Sequence, residues 1–207
     1  MQRKIMPLGS IAANCVILWE DPAAAWIVDP GAEPEAILAF LKAKGLTPAL
    51  ILFTHGHFDH IGAVDGLLAR YPNLPVHVGP NDVPMIGHPQ NAWPPDYEVV
   101  KKPATLVADL EDGAMLTAGG LTAQVIATPG HTPGGVCVLF AAQKLLLTGD
   151  TLFAGSCGRT DFPGGDRRQL GASLQRLAAL DPELTVVPGH GMPTTIAREV
   201  ATNPFLQ

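Results

Sequence analysis

The stretch Thr54-His55-Gly56-His57-Phe58-Asp59-His60 places three of the chain's seven histidines and one carboxylate within a few residues. Imidazole nitrogens and carboxylate oxygens are ligands for transition-metal ions, and at this density they point to cation binding. Alternate residues of an extended segment share a face. His55 and His57 can therefore turn toward one ion, while Asp59 and His60, at a helix entry, turn toward a second point. Gly56 permits the tight backbone path between them.

Four further acidic or imidazole residues directly follow apolar runs: Asp29 after Trp26-Ile27-Val28, His131 after Val125 to Thr128, Asp150 after Leu145 to Thr148, and His190 after Val186-Val187. Each has a glycine or a Pro-Gly beside it. Residues at one end of neighbouring strands converge in space, and loops there carry ligands on a rigid scaffold. A shared metal centre is the expectation. Asp29 has two readings of equal weight: it orients a metal-bound histidine by hydrogen bond, or it stabilises its own Asp-Pro-Gly turn.

The elements that must position these residues are legible from periodicity. Ala13 to Leu18 and Trp26 to Val28 read as strands around an Asp21-Pro22 turn, and Ile37, Leu38, Phe40 and Leu41 as a helix stopped by Gly45. Leu50 to Phe53 reads as a buried strand, and Ile61 to Arg70 as a helix, so the histidine-rich segment joins strand to helix. Five prolines between Gly79 and Lys102 predict an irregular loop. Further strands are expected at Ala123 to Ala127, Val136 to Phe140, Lys144 to Thr148 and Thr185 to Val187, with an amphipathic helix at about Gln169 to Leu180. Thr128-Pro129-Gly130-His131 and Val187-Pro188-Gly189-His190 are similar turns that hint at a duplication.

Composition limits the function classes. With 207 residues, 47% of them hydrophobic and 15% charged, the chain can bury one core and is expected to form a single domain over residues 1–207. A formal net charge of −6 argues against nucleic-acid binding, which relies on clustered cations. No signal-like apolar region opens the chain and no stretch approaches the ~20 apolar residues of a membrane span, so a cytoplasmic protein that does not engage membranes is expected. Cys15, Cys137 and Cys157 form no C-x-x-C pair and imply neither a disulfide framework nor a thiolate metal site. There is no G-x-S-x-G elbow, so a serine acyl-enzyme has no visible home. His77 and His88 stand apart from the cluster and read as structural or surface residues. Trp93 and Phe162 read as core residues or as pocket lining.

The H-x-H-x-D-H pattern of His55 to His60, followed by His131, Asp150 and His190, resembles the metallo-β-lactamase superfamily over nearly the whole chain. The resemblance implies an α/β (α+β) fold, the αββα sandwich, with a metal site at one edge. Gly149-Asp150-Thr151-Leu152-Phe153 and Gly155-Ser156-Cys157-Gly158-Arg159 are similar to the type II glyoxalases, the hydroxyacylglutathione hydrolases. Too few residues follow His190 for the helical C-terminal domain of full-length type II glyoxalases, which puts glutathione specificity in question.

By that resemblance, His55, His57 and His131 hold one metal, Asp59, His60 and His190 the other, and Asp150 bridges them. Asp59 also serves as a catalytic residue. The implied cofactors are two divalent transition-metal ions, with zinc first and iron or manganese as alternatives. Two such ions lower the pKa of a shared water toward ~7 and polarise a carbonyl, so no protein nucleophile is required. The expected substrate is a small acyl thioester such as S-lactoylglutathione, with Arg159 holding its anionic part. The alternatives are a mononuclear-iron persulfide dioxygenase and a lactone or ester hydrolase of the same fold.

Overall fold

Strands with apolar residues on both faces must be covered on both sides. A computed structural model, describing residues 1–20 and 24–207, meets that demand with four layers. The first sheet orders its strands β1 (Gln2–Leu8), β2 (Ala13–Glu20), β3 (Ala24–Val28), β4 (Thr47–Leu52), β5 (Val76–His77) and β6 (Leu106–Val107). The first three run antiparallel and the rest continue parallel from β3. Parallel pairing needs crossovers. Helix α1 (Pro34–Lys44) makes the first, and α2 (Phe58–Ile61) with α3 (Val64–Arg70) makes the second.

The second sheet contains β7 (Met115–Ala118), β8 (Leu121–Ala127), β9 (Val136–Phe140) and β10 (Leu145–Gly149). A small hairpin, β11 (Leu152–Phe153) and β12 (Ser156–Cys157), then leads to helix α4 (Arg167–Ala178). Strands β13 (Thr185–Pro188) and β14 (Thr194–Thr195) complete the sheet, and α5 (Ile196–Thr202) follows.

Period-two side-chain alternation distributes the core. Val16 and Leu18 of β2, Trp26 and Val28 of β3, and Leu50 and Leu52 of β4 face the second sheet, where they meet Val125, Val138, Phe140, Leu147 and Val187. Trp26 and Phe140 touch edge to face at 5.4 Å between ring centroids. The alternate residues Ile17, Ile27 and Ile51 point the other way and pack on Ile37, Leu41, Val64 and Leu67 of the helices. Behind the second sheet, Cys137, Leu146 and Val186 pack on Leu170, Leu174 and Leu177 of α4. This is the expected αββα sandwich.

The expected strands are present, and the helix stopped by Gly45 ends there with a left-handed Gly45. The Asp21-Pro22 turn lies outside the described residues. The helix expected over Ile61 to Arg70 starts earlier and is broken, because the Ala63 N–H donates to the Pro30 carbonyl and leaves the helical ladder. Within the proline-rich loop, Pro80–Met85 winds into a 3₁₀ turn. Strands β5 and β6, two residues each, are too short to show a period in the sequence. Among the described residues no helix is long and apolar enough to cross a membrane.

Candidate metal centre

Strands β3 and β4 run parallel, and so do β10 and β13, while β8 shares their direction through antiparallel β9. The residues just past their C-terminal ends therefore gather at one edge of the sandwich. Asp29 follows β3, the His55 to His60 segment follows β4, His131 follows β8, Asp150 follows β10 and His190 follows β13.

Two groups of three donors form there. The first is His55, His57 and His131, and the second is Asp59, His60 and His190; within each group the donor atoms lie within 4.8 Å of one another. His57 Nδ1 faces His131 Nε2 at 2.9 Å, and His60 Nε2 faces His190 Nε2 at 3.3 Å. Asp150 stands between the groups, with Oδ1 3.4 Å from His60 Nε2 and Oδ2 3.5 Å from His131 Nε2 and 3.6 Å from His190 Nε2. Gly189 is required beside it, since a Cβ there would strike Asp150 Oδ1 and His60.

The donor set suits cations. His55 Nε2 and Asp150 Oδ1 are buried without a hydrogen-bond partner, a costly condition for polar atoms that a metal ion would relieve. Burial, reinforced by neighbouring imidazoles, holds His55 well below the usual histidine range and His57 down to about 4, so both present lone pairs at neutral pH. Burial opposes charge on His60 too, but Asp150, Asp59 and Asp29 outweigh it and raise its pKa. The same burial would push Asp59 up, yet His60 and His190 bring its carboxyl below the usual carboxylate range. Carboxylates this deep call for positive charge nearby.

A second set of hydrogen bonds decides which nitrogen each histidine presents. Asp29 accepts from the Thr54 N–H at 2.7 Å, the Thr54 hydroxyl at 2.6 Å and His60 Nδ1 at 3.0 Å. His60 is thereby left with Nε2 toward the site. Because the Thr54 hydroxyl donates to Asp29, its oxygen is free to accept from His55 Nδ1 at 3.2 Å, which leaves the His55 Nε2 lone pair toward the site. Asp29, His55 and His60 are also close enough to hold an ion. The Asp29 oxygens are already engaged by donors, however, so this carboxylate orients. Of the two readings of Asp29, the structure supports the orienting one.

Arg159 enters through its backbone: its carbonyl accepts from His131 Nδ1 at 2.7 Å, leaving His131 Nε2 for the site. Its guanidinium pairs bidentately with Asp161 at 2.6 and 2.7 Å and lies over the Phe162 ring at 4.0 Å. The side chain expected to hold an anionic substrate is thus already occupied by a carboxylate. His77 pairs with Asp109 at 2.9 Å, away from the cluster. Burial pushes the Cys15, Cys137 and Cys157 thiols up, so none is a ready thiolate nucleophile.

Three residues, Asp82 and Asn14 buried and Asn91 partly so, escape sequence reasoning. Asp82, in the 3₁₀ turn, accepts from the Gly56 N–H at 2.9 Å, the Thr132 hydroxyl at 2.7 Å and the Gly134 N–H at 2.6 Å, tying the His55–His57 loop to the His131 loop. Asn14 donates to the carbonyls of Pro188 at 3.0 Å and Gly191 at 2.9 Å, flanking His190. Asn91 donates to the Gly56 carbonyl at 2.7 Å and accepts from the Phe58 N–H at 3.1 Å. Nothing in the sequence singled them out: Asp82 shares the proline-rich loop with Asp96 and Glu98, and the asparagines carry no motif.

Beside His57 a cavity of about 500 Å³ opens, lined among others by Phe58, Met85, Trp93 and Phe162. Trp93 and Phe162 thus fulfil their pocket-lining alternative, and His88 lines the same cavity.

Comparison with known proteins gives concordant results. The model of the metallo-beta-lactamase superfamily matches residues 8–190. The chain is 32% identical over 222 residues to hydroxyacylglutathione hydrolase GloC of Haemophilus influenzae, covering 100% of this chain and 98% of that one. Its fold is similar to the crystal structure of BLEG-1 B3 metallo-beta-lactamase, with a TM-score of 0.90, 38% identity and 99% of each chain covered. It is also similar to TTHA1623 in a di-iron-bound form, with a TM-score of 0.87, 39% identity, and 98% of this chain and 100% of that one covered.

Proposed function

The chain belongs to the metallo-β-lactamase superfamily, and from that premise we propose that it is a metal-dependent hydrolase that cleaves acyl thioesters. The observation that carries this reading is Asp150 standing between two three-donor groups beside an apolar cavity. In this reading His55, His57 and His131 hold one ion, Asp59, His60 and His190 hold the other, and Asp150 contacts both. When bound there, a pair of transition-metal ions supplies Lewis acidity that acidifies a shared water and polarises a carbonyl. Zinc, iron and manganese all suit nitrogen and carboxylate donors, and the likeness to the di-iron form of TTHA1623 keeps iron beside zinc.

The chain's own groups make the rest of the chemistry. Asp29, Thr54 and the Arg159 carbonyl fix the imidazole tautomers, so the site need not reorganise when charge develops. Asp59, ionised and acceptor-only, orients the attacking water by accepting its hydrogen bond. Among the described residues lining the cavity there is no lysine or tyrosine to act as a general acid, and its titratable groups are the imidazoles of His57 and His88. A thioester is the acyl derivative with least need of a general acid, because a thiol of pKa near ~8.5 leaves as the thiolate. The likeness to GloC supports the same substrate class.

The test is to load the protein with zinc, iron or manganese and follow thiol release from S-lactoylglutathione and from a neutral thioester. Thiol release with two ions bound, and loss of both ions in Asp150→Asn, is the expected result. Absence of thioester turnover with both ions bound would end this reading. Oxygen uptake with glutathione persulfide on the iron form would replace it with dioxygenase chemistry, and cleavage of a chromogenic β-lactam alone would align the chain with BLEG-1.

A further inference from the structure

Resting on the hydrolase reading, we infer that the cavity beside His57 is the binding site for an apolar acyl group, so that the preferred substrates are medium-chain or aromatic acyl thioesters rather than hydroxyacyl ones. Its volume of about 500 Å³ falls in the range of small-molecule sites, about 300–1,000 Å³. Its walls are chiefly carbon: Phe58, Met85, Trp93 and Phe162, with no lysine or arginine among the lining residues. His88, Gln90 and Asn91 also line it, but the Asn91 amide is taken up by backbone groups, and a carboxylate bound there would lose water without finding a lysine or arginine.

The cavity is built onto the metal centre. His57 belongs to both, its ring meeting Phe162 edge-on at 5.6 Å between centroids. Asn91 fixes the wall next to His57 by donating to the Gly56 and Met85 carbonyls at 2.7 and 3.1 Å and accepting from the Phe58 N–H at 3.1 Å. An acyl chain seated here therefore has its carbonyl end next to the His57 side of the site. Arg159, the nearest cation by sequence, is taken up by Asp161 and lies over the Phe162 ring, so its charge is paired and it does not line the cavity.

The experiment compares acetyl, butanoyl, hexanoyl and octanoyl thioesters of N-acetylcysteamine, a short neutral thiol, with S-lactoylglutathione on the metal-loaded enzyme. The expected result is kcat/KM rising about fourfold per methylene until the cavity is full. Trp93→Ala should flatten that slope and Trp93→Phe should retain most of it, a pattern that a loss of folding would not produce. A flat acyl series with S-lactoylglutathione turned over best would overturn the inference while leaving the hydrolase reading intact.

If no thioester is cleaved with two ions bound, the hydrolase reading fails, and binding of the uncleavable thioethers of the same series still decides the cavity's role. Trp93 is 57% exposed, whereas Trp19 and Trp26 are 7% and 0% exposed, so tryptophan fluorescence reports on the cavity. A change in emission that tightens with chain length supports the apolar site; no change up to the solubility limit refutes it.

Discussion

At the scale of single residues, function depends on which atom each side chain presents. Asp29 accepts from both Thr54 donors and from His60 Nδ1, and through Thr54 it also orients His55. Asp29→Asn replaces one acceptor oxygen with a donor, which confronts either the Thr54 N–H or the His60 Nδ1–H. The expected outcome is a ~10–100-fold loss of metal affinity, read by titration against a competing chelator. Arg159 gives a second prediction. The guanidinium hydrogen-bonded to Asp161 holds that carboxyl at about 2. A depressed carboxylate keeps its pairing above its ordinary pKa of ~3.9 and loses it as pH falls through the lowered value, so the pair is intact throughout the neutral range. Asp161→Asn should therefore free Arg159, lowering KM for anionic S-lactoylglutathione with little change in kcat; steady-state kinetics at pH 7 check this. An unchanged KM would mean that Arg159 does not meet the substrate's anionic part.

At the scale of elements, loops far apart in sequence are held as one piece. Asp82 receives three donors, two from the His131 loop and one from Gly56. A carboxylate, which only accepts, matches that environment, whereas an amide must turn an N–H toward another donor. Asp82→Asn is expected to cost ~1–3 kcal/mol of stability from a poorly satisfied buried group, measured as a lowered urea midpoint. It should also weaken metal binding at the His55, His57 and His131 group more than at the Asp59, His60 and His190 group, because the clamp joins the two loops of the first. Equal weakening at both groups would assign Asp82 a general folding role. At the far end of the chain, Glu199 of α5 accepts from the Gly155 N–H at 2.7 Å and the Thr194 hydroxyl at 2.6 Å, anchoring the hairpin that follows Asp150.

At the scale of the whole molecule, the site sits where two sheets end together, so metal binding and folding are coupled. A metal at about a thousandfold excess over its Kd adds ~4 kcal/mol to the native state. For a chain of this size that corresponds to roughly 8–16 °C in Tm, so chelation should lower the midpoint by that order in differential scanning calorimetry. The mix of strands and helices and the ligand types were legible in the sequence, and the four-layer sandwich was implied by its resemblance to the metallo-β-lactamase superfamily. Continuous apolar runs along β2, β3 and β4 record two buried faces, and the contiguous His55 to His60 segment carries its spacing within one loop. The placement of His131, Asp150 and His190 after strands was legible because strand ends are marked by glycine and proline. The break between α2 and α3 was not legible, since it depends on a hydrogen bond from Ala63 to Pro30 in the loop that follows β3. Nor was Asp82, whose partners Gly56 and Gly134 lie 26 and 52 residues away. Only the tertiary structure decided that Asp29 orients His60, that Arg159 is already paired with Asp161, and that Trp93 and Phe162 wall a cavity beside His57. Periodicity records the face on which a side chain lies; its partner is set by where the folded loops meet.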